Sequence, residues 1–245
     1  MALKCWLLKD RTILIALAQG RFPSGQQWGV GPAMHIWRRL ARLLQSPLRR
    51  AGCRTVRARV HAALHGSSAS IISSNCLGGR ISNLAGNPYR SPTVGLFFPP
   101  DSFLGFVENL EHYLSLTLTE DAEASALARY PVGLLDDVQI HFMHYASFAE
   151  ARTKWVERSA RVDRSDIIVL FTDRDGAGPE HHSRFSALPV ARKLMITSRQ
   201  SEAEGCITYL PPRRGAAAAT EVPDLFTDWW MLERVLTDPV LQSLA

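Results

Sequence analysis

The chain has 245 residues, 46% hydrophobic and 21% charged, which excludes a disordered or collagen-like protein. No run reaches the ~18–20 unbroken apolar residues of a membrane-spanning helix. The net charge of +5 is unevenly placed. Residues 1–66 hold twelve Lys and Arg against one acid, Asp10, whereas residues 67–245 hold sixteen basic and twenty-two acidic residues. A pI of about 9.3 therefore describes a basic leader on a mildly acidic body, and the body offers no general nucleic-acid footprint. Cys5, Cys53, Cys76 and Cys206 form no C-x-x-C pair and no disulfide framework, which fits a reducing, cytoplasmic setting.

Residues 1–33 show no sustained periodicity. The apolar run Ile13 to Ala18 is shorter than the ~7–15 residues of a signal-peptide core, and Asp10 also argues against export. Met34 is a second candidate start, which would leave residues 1–33 untranslated. From there Ile36, Trp37, Leu40, Leu43, Leu44 and Leu48 follow helical spacing, with Arg38, Arg39, Arg42 and Arg49 opposite. A basic amphipathic helix is expected within residues 34–64, kinked or ended by Pro47. It has two readings: a helix on an anionic membrane surface, or a helix docked on its own domain with Arg stems at the rim.

The body, residues 67–245, alternates strands and helices. Ser70 to Ser73 is a short strand followed by a Gly-containing turn. Thr93 to Phe98 is an apolar run stopped by Pro99-Pro100, and Asp101 is the expected cap of the next helix. Phe103, Phe106, Val107, Leu110, Tyr113 and Leu114 form that helix's buried stripe. Leu116 to Thr119 reads as an edge strand. Val138 to Tyr145 alternates as a half-buried strand. Ser147 and Glu150 form a capping-box pattern opening a helix to about Val162. Ile167 to Phe171, continuously apolar, suits a central parallel strand. Lys193 to Thr197 and Cys206 to Leu210 are further strands, Ala216 to Ala219 a loop, and Asp224 to Leu236 a closing helix. This order predicts a single α/β domain with a mostly parallel sheet flanked by helices.

Four segments together carry a resemblance. They are Ser73-Ser74-Asn75-Cys76-Leu77-Gly78-Gly79; Ser91 to Phe98; Tyr130-Pro131-Val132-Gly133 through Asp137 to His141-Phe142-Met143-His144-Tyr145; and Phe171-Thr172-Asp173-Arg174-Asp175-Gly176. Their order and spacing resemble the DUF1919 family over about residues 70–200. Ala151, Lys154-Trp155 and Arg158 fit the same pattern. Members are often labelled exopolysaccharide or capsule biosynthesis proteins, so the resemblance implies surface-polysaccharide assembly as a setting.

The reaction has to be argued from residues. Asp173 and Asp175 follow the strongest strand, where ligands bind in open α/β sheets. Two carboxylates at i, i+2 beside Gly176 can share Mg²⁺ or Mn²⁺ and so hold the diphosphate of a nucleotide sugar. Arg174 between them is a candidate substrate contact, or the local partner of an Asx turn. The same stretch also resembles the first motif of haloacid-dehalogenase-type phosphatases, with Ile196-Thr197-Ser198 as a second motif, although too little chain follows for the rest of such a fold. His141 and His144 share one ion only if the strand ends or bulges near Met143, so one histidine as general acid or base, here His141, is easier to build. Asp137 is a candidate for orienting it or binding a sugar hydroxyl. His181-His182 reads as a solvated helix start. In the turn after the first strand, Asn75, Gly78 and Gly79 are candidate binding groups, and Cys76 is a candidate nucleophile or a small packed residue.

The expected function is a cytoplasmic, membrane-peripheral transferase of surface-polysaccharide synthesis using a nucleotide-sugar donor. The competing reading is a non-catalytic accessory protein that binds a glycan or an assembly partner.

Overall fold

The computed structural model describes residues 57–58, 60–62, 64–173, 175–197 and 206–208. The predicted Arg-striped helix segment 34–49, the loop 216–219, the helix Asp224 to Leu236 and the candidate site residue Arg174 lie outside the described residues. In chain order the elements are β1 (Ser70–Ser73), α1 (Leu77–Ala85), α2 (Pro100–Glu108), α3 (Leu110–Ser115), β2 (Thr119–Glu120), α4 (Ala122–Ala128), β3 (Val132–Leu135) and β4 (Val138–His141). They continue with α5 (Phe148–Ser159), β5 (Ile167–Thr172), α6 (Pro179–Ala187), β6 (Lys193–Thr197) and β7 (Cys206–Thr208). No helix among the described residues is long and apolar enough to cross a membrane.

The α/β expectation holds. A parallel sheet has the order β1-β5-β6-β7, and a separate antiparallel sheet has the order β2-β3-β4. β5 is buried from Ile168 onward, as a strand covered on both faces must be. Side-chain alternation sorts the parallel sheet into two faces. Ile72, Val169, Phe171 and Met195 turn towards an aromatic core of Phe98, Phe103, Phe106, Phe142 and Trp155. Ile71 and Ser73 turn to the opposite face, where α1 packs. There a Cβ on Gly78 would stand 2.8 Å from Ile71 Cγ2 and 2.9 Å from Ser73 Cβ, so only glycine lets helix and strand approach this closely.

Among the described residues, the outer edge of β1 carries no further strand. The segment after Tyr89 is strapped along it instead: Ser73 donates its amide to Thr93 Oγ1 at 3.0 Å, and Phe98 donates to the Ser74 carbonyl at 2.9 Å. The strap closes an edge that would otherwise expose backbone groups. It joins the second sheet through the bridge of Phe97 with His141. Before β1, the described residues between 57 and 64 are helical, with Val60 and Leu64 buried. Asn87 fastens this turn, donating to the Leu64 carbonyl and accepting from the Gly66 amide.

Several boundaries move, each for a local reason. Asp101 is not the cap of α2. Pro99 holds that position, and Pro100 starts the helix, where a missing N–H costs nothing. Asp101 lies exposed in the first turn and pairs with Arg184 at 2.7 Å. The long predicted helix breaks at Asn109, whose φ of −130° is not helical, giving α2 and α3. The edge strand starts at Thr119 because Leu118 turns into the core. β4 stops at His141, where the chain turns, and α5 stops at Ser159. Its cap is Ser147 as expected, accepting from the Glu150 amide, while Glu150 accepts from Ala146 rather than from the cap itself.

Gly78→Ala tests the α1–β1 packing. Overpacking against Ile71 and Ser73 should cost about 1–3 kcal/mol, more than the gain of up to about 1 kcal/mol from alanine's helix propensity. Urea unfolding should show a net loss of stability; a gain would show that helix and strand part without cost.

Candidate functional site

The carboxyl ends of β1, β5 and β6 form one polar edge, and alternation splits its side chains between the two faces. On the aromatic-core face lies Asp173, fully buried. Its amide donates to the Ile196 carbonyl, and Thr197 Oγ1 donates to its Oδ2 at 2.8 Å. The segments read as first and second phosphatase motifs are thus paired across neighbouring parallel strands.

α6 covers this face. Phe185 stacks on Phe171 with ring centres 5.4 Å apart, and Arg184 bridges to Asp101 and Glu108 of α2. The helix starts at Pro179, two residues before the histidines read as its solvated start, and those histidines are not solvated. His181 is buried, its Nδ1 accepting from the Gly178 amide at 2.8 Å and thereby capping the helix. His182, one residue on, brings Nε2 to 4.0 Å from Asp173 Oδ2. Asp175 lies past the strand end, exposed, with φ of +65°, followed by Gly176 at +95°. The two carboxylates therefore differ sharply, one enclosed and one in solvent. Among the described residues no group of three or more His, Cys, Asp and Glu side chains is placed to hold a metal ion.

On the opposite face, Asn75 Nδ2 donates to Thr172 Oγ1 at 2.7 Å, and Asn75 Oδ1 accepts from the Leu77 amide. Asn75 thus ties the end of β1 to the end of β5 and shapes the start of α1. Asn75 and Asp173 share the edge and turn to different sides of it. Cys76, at the start of α1, borders a cavity of about 380 Å³. Gly79, Arg80, Asn83, Tyr89, Gly95 and His144 line it as well. Gly79 is itself tightly packed, since a Cβ there would stand 2.9 Å from Val94 Cγ1.

His141 ends β4, and His144 lies in the turn beyond it. His144 reaches this cavity. His141 stays in the hairpin, stacked on Phe97 at 4.5 Å, with Nδ1 facing Tyr130 Oη at 3.2 Å and Nε2 facing Gln139 Oε1 at 3.0 Å. Gln139 continues the chain to Asp121, the cap of α4. Burial lowers the His141 pKa below its ordinary 6.5, and the Asp121 charge opposes this only in part. Asp137 sits in the β3–β4 turn and accepts from Tyr113 Oη at 2.7 Å. That bond, with burial, pushes the tyrosine up to about 12.

Sequence reasoning missed His182 and the cavity's Arg80, Asn83 and Tyr89. No local pattern marks them, because docking of α6 places the first and the strap after α1 places Tyr89.

The fold and edge define an α/β protein with polar groups gathered where parallel strands end, the usual ligand position in open sheets. The chain belongs to the DUF1919 family, whose model, described as "Domain of unknown function (DUF1919)", matches residues 50–226. An "Uncharacterized protein" of Haemophilus influenzae (strain ATCC 51907 / DSM 11121 / KW20 / Rd) is 35% identical over 158 residues, covering 64% of this chain and 73% of that protein.

With its folded pKa lowered, His141 binds fewer protons in the folded state than in the unfolded one. Its contribution to stability is complete above about pH 6.5 and is lost as pH falls through the lower folded value. Between pH 7 and pH 5 the unfolding midpoint should therefore fall more steeply in the parent than in His141→Gln; equal slopes would refute the buried, neutral ring. For Asp173, the alanine variant removes the acceptor of a buried Thr197 hydroxyl and should lose about 1–3 kcal/mol in urea unfolding. Asp173→Asn keeps an oxygen at that place and should stay within about 1 kcal/mol of the parent.

Proposed function

We propose that the protein is a transferase of surface-polysaccharide assembly that takes its sugar from a nucleotide-linked donor. The setting comes from the family resemblance. The observation that supports the reaction is the enclosed carboxylate of Asp173 at the end of the central parallel strand, backed by Thr197 and faced by His182. Sugar transfer breaks the bond from the anomeric carbon to the donor phosphate and forms one to an acceptor hydroxyl, whose proton must leave. The edge supplies groups suited to such a reaction: a carboxylate for the developing positive charge on the sugar, and an imidazole beside it. In this reading Asp173 and Asp175 would be the residues to hold Mg²⁺ or Mn²⁺, which would offset the negative charge of the donor phosphates. The protein works in the cytoplasm at the inner face of the membrane, with the basic residues of 34–64 towards anionic lipid.

A second reading, phosphoryl transfer from a phosphate ester, is favoured by one contact, the 2.8 Å bond from Thr197 to Asp173 across β5 and β6. Magnesium-dependent hydrolysis of an aryl phosphate, lost in Asp173→Asn, would select it.

The main reading is tested by thermal unfolding with a panel of nucleotide sugars, with and without Mn²⁺. A bound donor raises the midpoint by mass action, by an amount equivalent to about 2.7 kcal/mol at a hundredfold excess over Kd. The shift should require Mn²⁺ and should disappear in Asp173→Asn. The transferase reading fails if no donor moves the midpoint, or if the manganese-linked shift survives in the variant. Binding without turnover of any acceptor would leave a glycan-binding accessory protein.

A further inference from the structure

Asp173 is fully buried, and a ligand reaches its carboxylate only when something moves. On the aromatic-core face the cover is α6, with His182 standing 4.0 Å from the carboxylate and Phe185 stacked on Phe171. The attachments of α6 are those of a part that can swing.

Of its nine residues only His181 and Phe185 are buried. Its start is capped from within, since His181 Nδ1 accepts from the Gly178 amide at 2.8 Å, so the helix carries its cap with it. The chain leading in is loose. Asp175 and Gly176 have positive φ, +65° and +95°, and nothing stands within 4 Å of where a Gly176 Cβ would be. With Gly178 two residues on, this lead-in absorbs changes of φ and ψ that other residues resist. The far end is pinned instead. Lys193 Nζ, on β6, donates to the Ser186 and Leu188 carbonyls, each at 2.6 Å, and Leu188 is buried.

Between hinge and pin, surface charge holds the helix down. Arg184 Nη1 donates to Asp101 Oδ1 at 2.7 Å, while its Nη2 and Nε donate to the two oxygens of Glu108 at 2.9 and 3.2 Å. His181 Nε2 faces the same Asp101 oxygen at 3.4 Å. The Asp101 side chain is 79% exposed and that of Arg184 38%, so water and salt compete for the pair.

We infer that α6 is a lid over Asp173, hinged at Gly176 to Gly178, pivoting on its Lys193-bound end and latched to α2 by Arg184 and Asp101. Opening lifts His182 and Phe185 from the strand ends and admits a ligand to the carboxylate; closing shuts water out again. The latch and the stacking of Phe185 on Phe171 favour the closed form. The inference rests on the reading of Asp173 as a group that meets the substrate, but the opening itself is measured with no donor present. A failure of the lid and a failure of the donor reading are therefore seen in separate experiments.

The test is the rate at which iodoacetamide alkylates Thr197→Cys in the full chain, read by peptide mass. Thr197 is fully buried and bonded to Asp173. Val169→Cys, in the aromatic core, reports exposure by global unfolding. Thr197→Cys should react at least about tenfold faster than Val169→Cys, because a local opening costs less than unfolding. Arg184→Gln and Asp101→Asn should each speed it by a further two- to fivefold or so, the size of an exposed ion pair, and about 1 M NaCl should do the same to the parent latch. The lid is overturned if Thr197→Cys reacts no faster than Val169→Cys. It is also overturned if Thr197→Cys reacts fast but neither latch variant nor salt changes its rate, since the end of β6 then opens by itself. Should Thr197→Cys fail to fold, Ala177→Cys, buried between the two hinge glycines, takes its place. Should Val169→Cys fail to fold, the urea dependence of the labelling rate decides: a slope shallower than that of unfolding supports the lid, and an equal slope overturns it.

Discussion

The parallel pairing of β1 with β5 is the constraint on which the rest of the structure depends. Asn75 and Thr172, which bond at the end of that pair, are 97 residues apart in the chain. Everything between them must leave the sheet, build a second sheet and return in register. The entropy of closing so long an excursion grows only slowly, by about 0.6 kcal/mol per doubling of length. It is offset once Ile72, Val169 and Phe171 meet the aromatic core. The return is fastened by polar contacts as well. Ser70 donates its amide to the Asp166 carbonyl, and Asp163 donates its amide to Ser70 Oγ at 2.7 Å. Without that pairing, α1 would have no strand to pack on and the polar edge would not exist.

The same pairing decides how the edge is divided. In register, Ser73 stands beside Leu170, and Leu170 beside Leu194. Continuing the alternation sends Asn75 and Thr172 to the α1 face, and Asp173 and Thr197 to the α6 face. Both pairs sit at the carboxyl ends of neighbouring parallel strands. The pleat separates them by one residue's step. The protein therefore presents two polar surfaces back to back across one sheet edge, and a ligand reaching both must pass over the strand ends.

Legibility in the sequence followed the range of the interaction involved. β5 was legible because a fully covered strand needs an unbroken apolar run, and α5 because Ser147 and Glu150 report a cap within four residues. The antiparallel sheet was only half legible: the alternation of Val138, Gln139 and Ile140 marked a strand, but nothing local announced a second sheet. Thr93 to Phe98 read as an apolar run and proved to be a strap, since the Thr93 hydroxyl, not a strand ladder, satisfies the Ser73 amide. His182 was illegible for a physical reason. Its distance from Asp173 is set by Phe185 on Phe171 and by Arg184 on two acids of α2, contacts that no spacing within α6 encodes.

His141 and His144 are set apart by where β4 ends. Phe97 pairs with His141 as an isolated bridge, and Phe142 then donates its amide to the Pro131 carbonyl. Beyond Phe142 the chain turns, with Tyr145 donating its amide to the Phe142 carbonyl at 3.1 Å. His141 is left inside the hairpin, with both ring nitrogens facing polar partners and burial disfavouring its charge. It does there the work of a core residue, joining Tyr130 through Gln139 to the cap of α4. His144, three residues on, is carried past the turn to the cavity wall, exposed to whatever enters. Had the strand continued, the two rings would have pointed to opposite sides of one sheet. Because it stops, one ring stays in the hairpin and the other reaches the surface, and the strap paired with His141 is also the strap that closes β1 and lines the cavity.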